Sequence, residues 1–289
     1  MRKSALCWIN GQLIPASEAS ISVFDHGLLY GDGIFEGIRF YNNHAFQLAA
    51  HLTRLADSAA AICLLIPYSQ EQLTQAVTEL VEIFPDSTGY LRLIVTRGTG
   101  PLGLNPDSCT QPTVLIIADH LLMVNQNQRQ QGIRLMIAST RRTPTDSLDG
   151  RIKSLNYLNN ILARIEANQA GFDDAILLNQ SGFVTEASAA NLFIARDGHL
   201  YTPHTADGAL QGITREIVIK LASEQTLPVS ETALTAYDMY TADECFLTGT
   251  GAELIAVREV DGRLLRQCPG PVLTTLTRLF TELIHRQTS

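Results

Sequence analysis

Short runs of β-branched and aromatic residues, each closed by a turn signal, recur in both halves of this 289-residue chain, and the helical stretches among them follow no βαβ rhythm. That ordering constrains the fold more than any other feature. Without regular alternation a doubly wound parallel sheet is not expected, and intermixed strands and helices indicate an α+β architecture. The chain opens with Trp8-Ile9-Asn10-Gly11-Gln12-Leu13-Ile14, whose central Asn-Gly is a strong hairpin signal. Residues 38–41 and 45–48 flank Asn42-Asn43 in the same way. Residues 48–66 and 70–83 carry apolar side chains three and four apart, as amphipathic helices do. Residues 90–96 and 113–118 are β-rich and continuous enough for central strands.

The second half begins with a strand over 133–137. A helix over 153–170 follows, with Leu155, Leu158, Ile161, Leu162 and Ile165 on one face and Gly171 suited to its C-terminal stop. Strands are expected at 175–178, 183–186, 192–194 and 199–201, with Gly182 and Asp197-Gly198 in the turns. A helix over 214–222, a strand over 244–247 and a helix from Pro271 complete the pattern. Between the halves, 125–131 is wholly polar. The segment 120–131 reads as a linker joining a small domain, 1–119, to a larger one, 132–289; an exposed helix face is the other reading.

Composition narrows the function classes. At 45% hydrophobic and 17% charged residues the chain can bury a sizeable core. The longest apolar stretch, 59–67, is too short to span a bilayer. Met-Arg-Lys-Ser-Ala at the start has no long apolar region, so a secretory leader is not expected. A net charge of −8 argues against a nucleic-acid partner. Five cysteines without a C-x-x-C pair suggest neither a disulfide framework nor a metal site. A cytoplasmic enzyme is the expectation.

Gly98-Thr99-Gly100-Pro101-Leu102-Gly103 matches G-x-G-x-x-G after a strand, but the dinucleotide fingerprint needs a helix to begin there. Leu104-Asn105-Pro106-Asp107 follows instead, so the match is set aside. Lys153 stands just ahead of a strongly apolar helical stretch, where partial burial favours a neutral amine able to form a Schiff base. Read alone it is a solvated helix-start lysine, and Tyr157, one turn on, is a packing residue. Glu186 ends a β-rich run followed by small residues and suits either a buried cationic ring nitrogen or a plain strand edge. In Gly212-Ile213-Thr214-Arg215, Thr214 is expected to cap a helix, whose free N–H groups suit an anion or need nothing beyond the cap. Thr248-Gly249-Thr250-Gly251-Ala252 is either a backbone nest or a turn.

In combination and in this order, these segments resemble the class IV aminotransferases, the fold-type IV pyridoxal-phosphate enzymes of the D-amino-acid aminotransferase-like fold, and most closely their branched-chain amino-acid aminotransferases. The resemblance runs from about Trp8 to Gly262. Its anchors are residues 26–39, which include Tyr30-Gly31-Asp32-Gly33-Ile34-Phe35-Glu36-Gly37, together with His51-Leu52-Thr53-Arg54-Leu55, Tyr90-Leu91-Arg92, Lys153-Ser154-Leu155-Asn156 and the segments around Glu186, Thr214 and Thr250. It implies pyridoxal 5′-phosphate bound to Lys153, which also moves the proton between substrate Cα and cofactor C4′. Glu186 would keep the pyridine nitrogen protonated. Tyr157 would bond the phenolic oxygen, and Arg54, the Ile213 and Thr214 N–H groups and Thr250 would hold the phosphate.

On the substrate side the resemblance points to Tyr30, Phe35, Arg39, Tyr90, Arg92 and the turn Thr250-Gly251-Ala252. It sends Leu104 into the neighbouring subunit's site, and so implies a homodimer or higher homo-oligomer. The implied reaction is transamination of L-leucine, L-isoleucine and L-valine with 2-oxoglutarate, as in branched-chain amino-acid biosynthesis. Two relatives compete with that reading. Ala189-Ala190-Asn191-Leu192-Phe193 is similar to aminodeoxychorismate lyases, which have threonine where this chain has Glu36-Gly37. D-amino-acid aminotransferases share Lys153-Ser154-Leu155-Asn156 but place an arginine and a histidine in the 101–105 loop to catch the α-carboxylate, which Leu102 and Leu104 cannot do. A third possibility, from another class, is a small-molecule binding protein that kept the fold without catalysis. Absorbance near 400 nm separates that from an enzyme.

Borohydride reduction of the cofactor-loaded protein followed by peptide mapping is expected to place the pyridoxyl group on Lys153. Label on Lys220 or Lys3 would overturn the assignment.

Overall fold

Local sequence sets most element boundaries in the structure, a computed structural model that describes residues 5–120 and 126–288. The chain divides into two compact units. One comprises Met1–Leu121, Ile152–Asn156 and Ile284–Ser289, and the other Leu122–Arg151 and Tyr157–Leu283. Of the segment expected to link two domains, residues 121–125 lie outside those described, and Gln126–Gln131 forms a helix (α4).

In the first unit, β1 (Leu6–Ile9) and β2 (Gln12–Pro15) turn at Asn10 and Gly11, with φ of 47° and 91°. That matches the right-handed twist of a tight hairpin. The short helix α1 (His26–Tyr30) precedes β3 (Gly33–Tyr41), which turns through Asn42 and Asn43 into β4 (His44–Ala45). Helices α2 (Leu48–Ala61) and α3 (Gln70–Glu82) follow, then β5 (Gly89–Thr96) and β6 (Thr113–Asp119). Helix α2 stops short of the expected Ile66 because Cys63 turns left-handed, with φ of 50°. A Ser69–Gln72 capping box starts α3. Among the described residues the strands form an antiparallel sheet in the order β2-β1-β6-β5-β3-β4. Leu52 and Leu55 of α2 and Leu73, Val77 and Leu80 of α3 pack on Ile34, Ile38, Leu91, Leu93 and Ile116 of that sheet.

The second unit holds β7 (Ile133–Ile137), α5 (Leu158–Gln169), β8 (Asp174–Leu178), β9 (Val184–Ala187), β10 (Asn191–Arg196) and β11 (His199–Thr202). Next come α6 (Ile213–Glu224), β12 (Val229–Glu231), α7 (Ala236–Thr241), β13 (Glu244–Gly249), β14 (Glu253–Val260), β15 (Arg263–Leu264) and α8 (Pro271–Gln287). Among the described residues the sheet runs β12-β11-β10-β13-β14-β7-β8-β9, with β15 paired to β14. Parallel pairs (β11 with β12, β14 with β7, β7 with β8) mix with antiparallel ones, so both units fit the α+β expectation.

Two expectations fail in the 153–170 region. The helix starts at Leu158, with Tyr157 as its N-cap, so Lys153 and Tyr157 do not share a helical face. Residues before it spend their backbone hydrogen bonds on β3: Leu155 N–H donates to Gly33 O, Phe35 N–H donates to Lys153 O, and Ser154 bridges Ile34. Sheet pairing wins over helix continuation there. The buried face of α5 is also not the leucine face. Ala163 and Ala167 pack on Ala138, Ala175 and Leu177, while Leu158, Ile161, Leu162 and Ile165 are 67, 51, 46 and 43% exposed. Small side chains let the helix backbone approach β8, and that close packing selects the alanine face. No helix among the described residues is long and apolar enough to cross a membrane.

No helix begins in the G-x-G-x-x-G segment either. Gly98 is there for backbone reasons: its φ is +90°, and a Cβ would come within 1.7 Å of Gln111 O. Gly98→Ala is therefore expected to lower stability by about 1–3 kcal/mol or more, read as a shift of the urea midpoint. An unchanged midpoint would show that the segment relaxes freely.

Candidate active site

Strand β3 presents two different rows, because side chains alternate along a strand. Ile34, Glu36, Ile38 and Phe40 form the core row, and all four are fully buried. An ionised carboxylate persists in such a row only when paired. Helix α2 supplies the partners. Arg54 grips Glu36 as a fork, Nε to Oε1 at 2.7 Å and Nη2 to Oε2 at 2.8 Å. His51, one turn earlier, brings Nδ1 to 2.7 Å from Oε2. Burial pushes the Glu36 carboxyl up, but hydrogen bonds from His51 and Arg54 and the Arg54 charge outweigh it and hold it at about 2. Burial also pushes His51 below its ordinary value, and the nearby Arg54 and Lys153 cations act in the same direction, against the Glu36 bond. A carboxylate only accepts, so Nδ1 carries the proton of a neutral His51 ring.

The Lys153 segment docks on the same strand. Besides its pairing with Gly33 and Phe35, Lys153 N–H donates to Ser58 Oγ of α2 at 3.2 Å. Its Nζ lies 4.5 Å from the centroid of the Phe35 ring, and Arg92 Cζ lies 4.5 Å from the same ring. Phe35 belongs to the other row of β3, with Gly37 and Arg39. Arg92 faces Gly37 across the β3–β5 pairing. Tyr90 extends its hydroxyl over Gly37, where a Cβ would come within 1.9 Å of it. Glycine leaves that room. Lys153, Phe35, Tyr90 and Arg92 thus gather over one face of β3, and Arg39 continues the row with its Cζ 5.2 Å from the Tyr41 ring. Tyr30 Oη accepts from Gly103 N–H at 3.0 Å, tying α1 to the loop that carries Leu104. Leu104 itself is 80% exposed.

The remaining predicted residues lie in the second unit. Glu186 on β9 is buried and fully engaged: Arg142 Nη2 lies 3.0 Å from Oε1, while Leu210 N–H and Asn191 Nδ2 donate to Oε2 at 3.0 and 3.3 Å. Arg142 is fixed in turn by Nε to Gly208 O at 3.0 Å and Nη1 to Asn160 Oδ1 at 2.8 Å. Charge-assisted bonds of this kind favour the ionised carboxylate. Asn191 connects Glu186 to the start of α6. A Cβ on the N-cap Gly212 would come within 1.9 Å of Asn191 Oδ1, so that helix begins without a capping side chain, at Ile213 and Thr214. Asn191 pairs with Thr248 of β13, whose buried Oγ1 lacks a hydrogen-bond partner. Thr250, Gly251 and the buried Ala252 form the turn from β13 to β14.

A side-chain-free helix start, an orphaned buried hydroxyl and an engaged carboxylate fit an anionic cofactor that carries a basic ring nitrogen. Among the described residues no group of His, Cys, Asp or Glu is placed to hold a metal ion. Glu36, His51, Arg142 and Asn191 join the site without having been singled out as site residues. Glu36 was detectable as an acid interrupting an apolar strand row, and His51 and Arg54 as polar groups one turn apart on a helix face. Arg142 sits in an irregular segment that gives no periodic signal.

The family model for amino-transferase class IV matches residues 33–260. A putative branched-chain-amino-acid aminotransferase of Methanocaldococcus jannaschii is 47% identical over 277 residues, covering 96% of this chain and 95% of that protein. The crystal structure of the Escherichia coli branched-chain amino acid aminotransferase superposes with a TM-score of 0.95 at 33% identity, over 99% of this chain and 97% of that one. The branched-chain amino acid aminotransferase from Thermobaculum terrenum, in its PLP-bound holo form, gives 0.86 at 29% identity, over 98 and 94%.

The Glu36 pairing predicts an acid-sensitive contribution to stability. The folded-state value of about 2 lies below the ordinary 4.5, so the contribution is complete above 4.5 and is lost as pH falls from there towards 2. Breaking a buried pair costs about 3–5 kcal/mol. Glu36→Gln should therefore be clearly less stable than the parent in urea melts at pH 7, with a smaller gap at pH 3. A gap that does not change with pH would show that Glu36 is not ionised in the fold.

Proposed function

Because this chain belongs to the class IV aminotransferases, we propose that it transaminates branched-chain L-amino acids, with 2-oxoglutarate as acceptor and pyridoxal 5′-phosphate as cofactor. One observation carries the substrate class: the Phe35 ring lies 4.5 Å from both the Lys153 amine and the Arg92 guanidinium carbon. An aliphatic side chain finds the ring as an apolar wall, and glutamate's second carboxylate finds the cation beside it. Those are the two needs of an enzyme that exchanges an amino group between an apolar and an acidic substrate.

Lys153 Nζ is the amine that would hold the cofactor and would carry the Cα proton. Its partner Phe35 supports a cation at Nζ, whereas attack on a carbonyl needs the neutral amine. Glu186, kept ionised by Arg142, Leu210 and Asn191, holds a proton on the ring nitrogen. When bound, pyridoxal phosphate supplies the electron-accepting ring that lets the Cα proton leave. Tyr157 bonds the phenolic oxygen. Arg54, the Ile213 and Thr214 N–H groups and Thr250 are the groups that would hold the phosphate. Tyr30, Arg39, Tyr90, Gly251 and Ala252 complete the substrate wall.

Assembly belongs to the same reading. Val23, Phe24, Leu28, Leu102 and Leu104 are 70, 49, 59, 71 and 80% exposed. The segments that carry them are tied together by Gly100 N–H to Phe24 O and Gly103 N–H to Tyr30 Oη. A second copy of the chain covering this face makes a homodimer and gives Leu104 a substrate to touch.

Half-reactions followed by the cofactor's absorbance test the proposal. L-leucine, L-isoleucine and L-valine should convert the bound cofactor, L-alanine far more slowly and D-alanine not at all. Leu104→Ala should lower kcat/KM for leucine by roughly tenfold, with a much smaller change for alanine, and light scattering should report a dimer or larger. Preference for D-alanine, or an active monomer, would overturn the reading.

A further inference from the structure

Within the His51-Leu52-Thr53-Arg54 and Phe35-Glu36-Gly37 segments, Glu36 and His51 have no task in the function proposed above. Yet both are fully buried, and they meet at the carboxylate that Arg54, its side chain 13% exposed, also grips. Packing does not require it. A buried ion pair is often no more stable than apolar residues of the same volume, and the Glu36 position lies between Ile34 and Ile38 in a row otherwise made of Ile and Phe.

We propose that Glu36 is a positioning residue for the cofactor's phosphate: it clamps the Nε edge of Arg54 so that the guanidinium is held for the phosphate in fixed register with Lys153. The proposal rests on reading Arg54 as a phosphate ligand. Its geometric basis is the fork. Bonds from Nε and Nη2 to the two carboxylate oxygens fix both the plane and the rotation of the guanidinium. His51 fixes the carboxylate in turn, and as a neutral donor it does so without adding a cation.

Register with the lysine follows from chain neighbours. Phe35, next to Glu36, donates its N–H to Lys153 O, and Ser58, one turn beyond Arg54 on α2, accepts from Lys153 N–H. The same strand and the same helix therefore locate both the phosphate ligand and the lysine. A loose arginine would have to be ordered each time a phosphate arrived, and holding it beforehand removes that cost. The carboxylate's charge works the other way, weakening Arg54's attraction for an anion. A test must therefore alter reach without altering charge.

Glu36→Asp does this, since one methylene less leaves the carboxylate unable to meet Arg54 and His51 together. Titrating the cofactor-free protein with pyridoxal phosphate and with pyridoxal, and taking the ratio of the two Kd values, reads the phosphate contact alone. The wild-type preference for the phosphorylated form should fall roughly tenfold in Glu36→Asp. It should fall at least as far in Arg54→Ala, and no further in the double variant than in Arg54→Ala. A wild-type ratio in Glu36→Asp, or losses that multiply in the double variant, would overturn the proposal. An unchanged ratio in Arg54→Ala would instead remove the phosphate assignment beneath it. Thermal melts of the cofactor-free proteins identify a variant that fails to fold. Should Glu36→Asp be one, Arg54→Lys carries the test: an ammonium cannot make the fork, so the ratio should fall, and a wild-type ratio there would contradict the clamp.

Discussion

The docking of residues 152–156 on the edge of β3 is the constraint on which the first unit's share of the candidate site depends. Two backbone hydrogen bonds, Phe35 N–H to Lys153 O at 3.0 Å and Leu155 N–H to Gly33 O at 2.9 Å, bring a lysine from the middle of the chain onto a strand near its start. Lys153 thereby belongs to the first compact unit although its neighbours Arg151 and Tyr157 belong to the second. From that anchor the side-chain geometry follows: Nζ reaches Phe35, Phe35 meets Arg92, and Ser58 of α2 closes on the Lys153 N–H.

A strand with a core row on one face and a row of glycine, phenylalanine and arginine on the other suits this task because its two faces can be specialised independently. On the core side, β3 accepts a buried carboxylate only because α2 presents two donors one turn apart. On the other side, Gly37 leaves space that the Tyr90 hydroxyl enters, beside Phe35 and Arg92. The second unit solves a related problem with a different device. Glu186 is paired with an arginine that is itself tied down at Nε and Nη1, and Asn191 links that carboxylate to the segment that leads into a helix start with no capping side chain. In both places an ionisable side chain is held by a partner that is itself fixed by further hydrogen bonds.

What could be read from the sequence was local. The Asn10-Gly11 and Asn42-Asn43 turns, the faces of α2 and α3, and the strands around Tyr90 and Thr113 all follow from spacing and turn chemistry within a few residues. The failures came where distant segments compete for the same residues. Residues 153–157 have a helical apolar pattern, yet β3 takes their hydrogen bonds, and Ala163 and Ala167 displace the leucines of α5 from the core because they permit closer packing. The roles proposed for Lys153, Glu186 and Arg54 are invisible to spacing and rest on the resemblance of ordered motifs. Glu36 and Arg142 escaped because their meaning lies in a partner remote in sequence, Arg54 for one and Glu186 for the other.

The central claim, that the lysine is held in place before any cofactor arrives, is open to native-state amide hydrogen exchange on the cofactor-free protein. Phe35 and Leu155, whose N–H groups make the two docking bonds, should be protected by orders of magnitude over an unstructured peptide. Adding pyridoxal phosphate should change that protection only modestly. If the Leu155 amide exchanged freely in the cofactor-free protein and became protected only on loading, the lysine would be positioned by the cofactor rather than by β3.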